Sequence, residues 1–99
     1  MKKKFPIRVT VAAHDKILEI RKNKKIDDSY HLRLGVKSAG CGIASYVIGF
    51  DHLDEKDEIF NLNDIRIIIE KIQLMYLAGK TVDYGESEGD IGFIFRENS

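Results

Sequence analysis

Apolar and polar residues alternate at Ile7-Arg8-Val9-Thr10, within the stretch from Phe5 to Val11, which is the pattern of a short strand. After Thr10 the period changes. Ala13, Ile17 and Ile20, flanked by Leu18, recur at helical spacing, while Lys16, Glu19 and Lys22 fall on the other side. The pattern predicts a helix over about Val11 to Lys24 with Thr10 as its N-cap. Lys22, Lys24 and Lys25 then sit near its end, where cations suit the negative pole of the helix dipole.

Alternation returns at His31 to Lys37, with Leu32, Leu34 and Val36 on one face, and a second strand-like run spans Ile43 to Phe50. Between them lies a loop of small residues, Ser38-Ala39-Gly40-Cys41-Gly42. Asp51 to Glu58 reads as an acidic, solvated turn. Glu58 to Leu62 and Ile65 to Glu70 read as a hairpin about Asn63-Asp64. The run Arg66-Ile67-Ile68-Ile69-Glu70 suits a strand buried on both faces. A short helix is expected over Lys71 to Ala78, with Leu74 and Leu77 or Ala78 facing in and Gly79 as its stop. Thr81 to Tyr84 and Ile91 to Phe95 are the last strands, separated by a loop holding Gly85 and Gly89.

No linker, repeat or low-complexity segment interrupts this order, so residues 1–99 are expected to form a single domain. The expected class is α+β and mainly β: an N-terminal helix, a short second helix and six or seven short strands.

Composition narrows the function classes. The 99 residues are 43% hydrophobic and 32% charged, which describes a folded domain and not a disordered tail. Lys+Arg and Asp+Glu are each 16, and a net charge of zero argues against a protein that neutralises many phosphates of a nucleic acid. The zero hides two halves: residues 1–50 hold 11 basic and 4 acidic residues, residues 51–99 hold 5 and 12. Such polarity either shapes a partner contact or cancels within one fold. Met1-Lys2-Lys3-Lys4 has the basic start of a signal peptide, but Arg8, His14 and Asp15 break the apolar stretch that should follow. With no apolar run near 18 residues, no membrane span is expected and the protein is placed in the cytoplasm.

One cysteine excludes an internal disulfide framework and an all-cysteine metal site built by one chain. Cys41 lies between Gly40 and Gly42, which let the backbone pass close to whatever sits on the sulfur. Its thiolate could ligate a soft metal or an iron–sulfur cluster, or act as a nucleophile; a small buried hydrophobe is the plain alternative. His14, His31 and His52 do not converge in sequence and read as structural or surface residues. The run Asp51, Asp54, Glu55, Asp57, Glu58 lacks the register and sixth-position glycine of a calcium loop. No Walker loop or dinucleotide fingerprint is present.

The segment Leu32-Arg33-Leu34-Gly35-Val36-Lys37-Ser38-Ala39-Gly40-Cys41 resembles the HesB/IscA family of A-type iron–sulfur carriers, whose strand reads roughly LR-x-GVK before a glycine-rich turn and a cysteine. Tyr46 stands where the family commonly has a tyrosine, and Phe50-Asp51 closes the strand. Ile7-Arg8-Val9-Thr10 with Ala12-Ala13, the stretch from Tyr76 to Tyr84, and Gly92-Phe93-Ile94-Phe95 are similar to the family's opening, penultimate and closing segments. The resemblance implies a compact HesB-like β-sandwich or barrel-like fold. It also implies a non-enzymatic role in iron–sulfur cluster assembly or carriage. Cys41 would then be the residue that binds iron or a cluster. The implied partners are proteins of iron–sulfur assembly and apo-clients, with a homodimer left open. Of the family's three cysteines only Cys41 has a counterpart, the C-terminal Cys-Gly-Cys being absent, and Glu70-Lys71 replaces the usual Asp-Pro. A member of this degenerate kind either binds its cargo transiently through one cysteine or keeps the fold as a protein-interaction module.

Overall fold

The computed structural model describes residues 5–38 and 44–97. The chain divides into two compact units. The first is built on a four-stranded sheet of order β3-β2-β5-β4, from β2 (His31–Ser38), β3 (Ala44–Asp51), β4 (Asp57–Leu62) and β5 (Ile65–Glu70). A 3-10 turn over Lys71–Gln73 and the short helix α2 (Leu74–Leu77) follow β5. The second unit joins β1 (Arg8–Val9) and helix α1 (Val11–Asn23) to the hairpin of β6 (Lys80–Ser87) and β7 (Asp90–Glu97), in a sheet of order β1-β6-β7. Among the described residues, seven strands, two helices and two sheets bear out the mainly β, α+β expectation.

In the first unit β5 runs antiparallel to β4 and parallel to β2, so it lies inside the sheet. Its Ile67, Ile68 and Ile69 are all fully buried, as a β-branched run in a doubly covered strand should be. Leu32 and Leu34 of β2, Phe60 of β4, Ile65 and Leu77 complete the buried apolar set of this unit. The β4–β5 hairpin turns at Asn63, whose φ of 54° is the left-handed conformation that asparagine tolerates.

The second unit depends on Thr10. Its Oγ1 accepts the Ala13 N–H at 3.2 Å, capping α1, and donates to Asp83 Oδ1 of β6 at 2.7 Å. The hydrogen bond from Thr10, with another from the Tyr84 N–H, holds the Asp83 carboxyl below the usual range. One hydroxyl thus joins the start of the helix to the strand beside it. Ala13 and Ile17 are the buried positions of α1, whereas Ile20 is only half-buried.

Four expected boundaries change. The opening strand shrinks to two residues, because the Thr10 N–H turns to the Val82 carbonyl and the helix starts at once. Helix α1 ends at Asn23, leaving Lys24 as its C-cap and Lys25 beyond it with a φ of 50°. The expected helix of residues 71–78 is a 3-10 turn followed by four α-helical residues, ended by Gly79 at a φ of 83°. The expected loop around Gly85 and Gly89 is a tight turn at Glu88-Gly89 alone. Both residues take positive φ (52° and 86°), which matches the twist of the flanking strands, so Gly85 pairs with Gly92 inside the ladder.

Replacing Thr10 by Val keeps the shape and removes both hydroxyl bonds. Chemical denaturation is expected to show a loss of about 1–2 kcal/mol, with Thr10→Ser retaining most of the stability.

Candidate functional site

Strands β2 and β3 form a hairpin in continuous register from the His31–Asp51 pair to the Ser38–Ala44 pair. Residues 39–43 join the last pair, and Cys41 is the middle residue of that connection. Cys41, the site residue expected from sequence, lies outside the described residues. The stem that carries the connection is described, and two side-chain clamps hold it.

The first clamp is at the base. Leu32 and Leu34 point into the core, so the intervening Arg33 emerges on the opposite face. Its guanidinium makes a bidentate pair with Asp57, Nη1 to Oδ1 at 2.7 Å and Nη2 to Oδ2 at 2.6 Å. Its Nε donates to Asp51 Oδ2 at 2.7 Å, and Nη2 also reaches the His52 carbonyl. The Asp57 side chain is only 1% exposed and takes the Asp54 N–H as well. Asp54 Oδ1 accepts the Lys56 N–H, and the Asp57 N–H donates to the Asp54 carbonyl. The acidic run expected to be a solvated turn is therefore partly corrected. Asp57 is buried because a cation from β2 fills the turn, while Asp54 and Glu55 remain exposed. Hydrogen bonds from Arg33 hold the carboxyls of Asp57 and Asp51 below the ordinary range and raise the guanidinium's own pKa.

The second clamp lies nearer the connection. Among the described residues β2 has no strand partner beside Val36 on the β5 side, since the β2–β5 pairing covers Leu32 and Arg33. The Gln73 carboxamide takes that place. Its Nε2 donates to the Val36 carbonyl at 3.1 Å and its Oε1 accepts the Val36 N–H at 3.2 Å. Gly35 makes this possible: a Cβ there would lie 2.9 Å from Gln73 Oε1. Opposite Gly35 on β3 is Val47, 41% exposed. Together Arg33, Gly35, Val47, Asp51, Glu70 and Gln73 contribute to the wall of an open cavity of about 410 Å³ along the stem.

The other residues singled out in the sequence scatter. Tyr46 is half-buried on β3 opposite Val36. His14 lies on α1 with Nδ1 3.8 Å from Asp15, His31 begins β2, and His52 stacks on Tyr30 with ring centroids 4.1 Å apart. Among the described residues no three His, Cys, Asp or Glu side chains group to hold a metal ion. Lys22, Lys24 and Lys25 are exposed at the end of α1, and the same unit contains the acidic residues of the β6–β7 hairpin. Part of the charge polarity along the sequence thus falls within one unit, where Lys80 also pairs with Glu97. Arg33, Asp57 and Gln73 were not expected to be site residues. Their only local signal is a charged residue between two core leucines.

A family model described as iron–sulphur cluster biosynthesis matches residues 5–99. The chain is 35% identical over 95 residues to iron–sulfur cluster assembly 1 homolog, mitochondrial, of Dictyostelium discoideum, a match spanning 94% of this chain and 68% of that protein. It is 30% identical over 92 residues to the iron–sulfur cluster insertion protein ErpA of Francisella tularensis, spanning 92% of this chain and 78% of that one. Its fold is also that of a crystal structure of IscA with the 2Fe–2S cluster, at a TM-score of 0.71 and 21% identity, over 92% of this chain and 84% of that one.

Asp57→Asn is expected to cost about 2–3 kcal/mol at neutral pH, because the buried partner of a charge is neutralised. The depressed carboxyls contribute stability above the ordinary aspartate pKa, near about 4, and that contribution is lost as pH falls through their lower folded values. Denaturation midpoints should therefore drop on acidification below about pH 4 in the native chain, and less steeply in Asp57→Asn. An unchanged acid slope in the variant would contradict the clamp. Gly35→Ala should displace the Gln73 amide, with a loss of about 1–2 kcal/mol and faster hydrogen exchange at the Val36 amide.

Proposed function

The chain belongs to the iron–sulphur cluster biosynthesis family, and from that premise we propose that it assembles or carries clusters by binding iron or a cluster transiently through Cys41. Its place in iron–sulfur cluster assembly rests on the family match over residues 5–99. The observation that carries the finer reading is the position of the sole cysteine, midway along the short connection between two strands whose stem is clamped on both sides of Gly35. A stem fixed by Arg33 and Gln73 would hold the strands that lead to the connection, so little ordering of the stem would remain to be done when cargo arrives.

The chemistry of the donor set makes the hold a weak one. A 2Fe–2S cluster normally takes four protein ligands, and this sequence supplies one thiolate. The remaining positions would be filled by a second copy, a client's cysteines or a small thiol. Incomplete ligation suits transfer: an apo-client that brings more thiolates replaces Cys41 by ligand exchange, without redox change or turnover. In this reading the protein is a binding partner of assembly and client proteins and not an enzyme, and residues 1–99 act as one domain of the family. Among the described residues no helix is long and apolar enough to cross a membrane. We place this activity in the cytoplasm.

A second reading, a protein-interaction module without cargo, is favoured by the exposure of Ile72 in the 3-10 turn and of Met75 and Tyr76 on α2. One experiment separates the two. After anaerobic reconstitution with ferrous iron and sulfide, the native chain should hold iron and acid-labile sulfide with visible charge-transfer absorption, and Cys41→Ser should lose both. Equal loading of the two proteins, or none in either, would overturn the cysteine reading.

A further inference from the structure

Strand β2 changes partners along the side that faces away from β3. Leu32 and Arg33 pair there with β5, which ends at Glu70. Val36, further along, gives its N–H and C=O to the Gln73 carboxamide at 3.2 and 3.1 Å. A carboxamide carries the same donor and acceptor as a peptide group. The side chain therefore makes the two bonds that one residue of an antiparallel neighbour would make. It is a loosely held substitute: the turn that delivers it, Lys71–Gln73, has no buried residue and no side-chain cap. Beside the amide lies the open cavity of about 410 Å³, with Gly35 and Val47 on its apolar side. Its charges do not balance. The Arg33 guanidinium is taken up by Asp57 and Asp51. Glu70 is half-buried and has no ion-pair partner among the described residues. Asp54 adds another carboxylate to the wall, against Lys56 as the one further cation.

We propose that this edge of β2 binds a short extended segment of a partner polypeptide, whose main chain replaces the Gln73 amide on Val36 and whose basic side chain lies beside Gly35 and Val47 towards Glu70. The present occupant identifies the main-chain part, because the group that sits on Val36 is itself an amide. Strand addition at a sheet edge uses the same bonds. The phase of the ladder gives the side-chain part. A residue paired with Val36 turns its side chain to the same face as Val36, so the next residue projects on the face of Gly35. There an apolar floor with an unpaired carboxylate at its end suits the aliphatic stem and charged head of lysine or arginine. An acidic side chain would meet Glu70 and Asp54 instead. Gln73 is then an internal competitor that keeps the edge covered until a partner arrives. β2 exchanges one set of hydrogen bonds for another and stays paired throughout. The exchange involves neither Cys41 nor iron, so it can fail while the cysteine reading holds, and the reverse.

Blocked peptides titrated into the full chain, with the Val36 amide resonance as reporter, test the exchange. The first probe is threonine-valine-lysine-valine-threonine; the second has glutamate in place of lysine, and the third has both valine nitrogens methylated. The lysine peptide should shift the Val36 resonance saturably, and the other two should bind about fivefold or more weakly. Gln73→Ala removes the competing amide and should bind the lysine peptide about fivefold or more tightly, a gain that a merely structural glutamine would not give. Glu70→Gln should bring the lysine and glutamate peptides close to equal affinity. No saturable shift at about 1 mM lysine peptide, or a methylated peptide that binds as well, would overturn the proposal. So would Gln73→Ala without a gain in affinity. An undiminished lysine preference in Glu70→Gln would overturn the place given to the basic side chain. The peptide comparisons use the native chain, so they decide the matter whatever Gln73→Ala does to stability.

Discussion

The first unit depends on one cation placed between two leucines. Leu32 and Leu34 fix which face of β2 is apolar, and Arg33 must leave on the other. There its guanidinium meets three carboxylate oxygens, two from Asp57 and one from Asp51. Burying Asp57 without that cation would cost several kcal/mol of desolvation, about what an unpaired interior charge costs elsewhere. The pair therefore specifies where β3 ends and β4 begins. β2 pairs with both β3 and β5, so the clamp acts on the strand that links the outer hairpin to the buried Ile67–Ile69 run.

A second constraint is steric. Gly35 has no side chain, and the Gln73 amide lies over its Cα and pairs with the Val36 backbone as a neighbouring strand would. This explains why the stretch after β5 is a 3-10 turn and not the regular start of a helix: the turn delivers a carboxamide to a backbone edge that β5 has left. A protein that holds cargo on the connection beyond β2 gains from such a stem, since a clamped strand loses little entropy on binding.

Local chemistry made much of the fold legible in the sequence. The Thr10 cap, the α1 spacing, the Asn63 turn and the Ile67–Ile69 strand each rest on neighbours within a few residues. What was missed is non-local. Arg33 and Asp57 are 24 residues apart and Val36 and Gln73 are 37 apart, and no periodicity reports such contacts. The β6–β7 connection is shorter than the sequence suggests because Gly85 looks like a turn residue, although it faces Gly92 inside the ladder. For the site, the sequence offered Cys41 and its glycines but gave no hint of the side chains that hold the stem beneath it. The charge polarity also needed the fold, since basic α1 and the acidic hairpin belong to one unit.

In the proposed role the Cys41 sulfur would be an iron ligand. X-ray absorption at the iron edge tests it most directly, on anaerobic protein loaded with ferrous iron alone, without sulfide or small thiols. The native chain should show an iron–sulfur scattering path that is absent from Cys41→Ser. A first shell of only nitrogen and oxygen in the native chain, or the same sulfur path in both proteins, would contradict it.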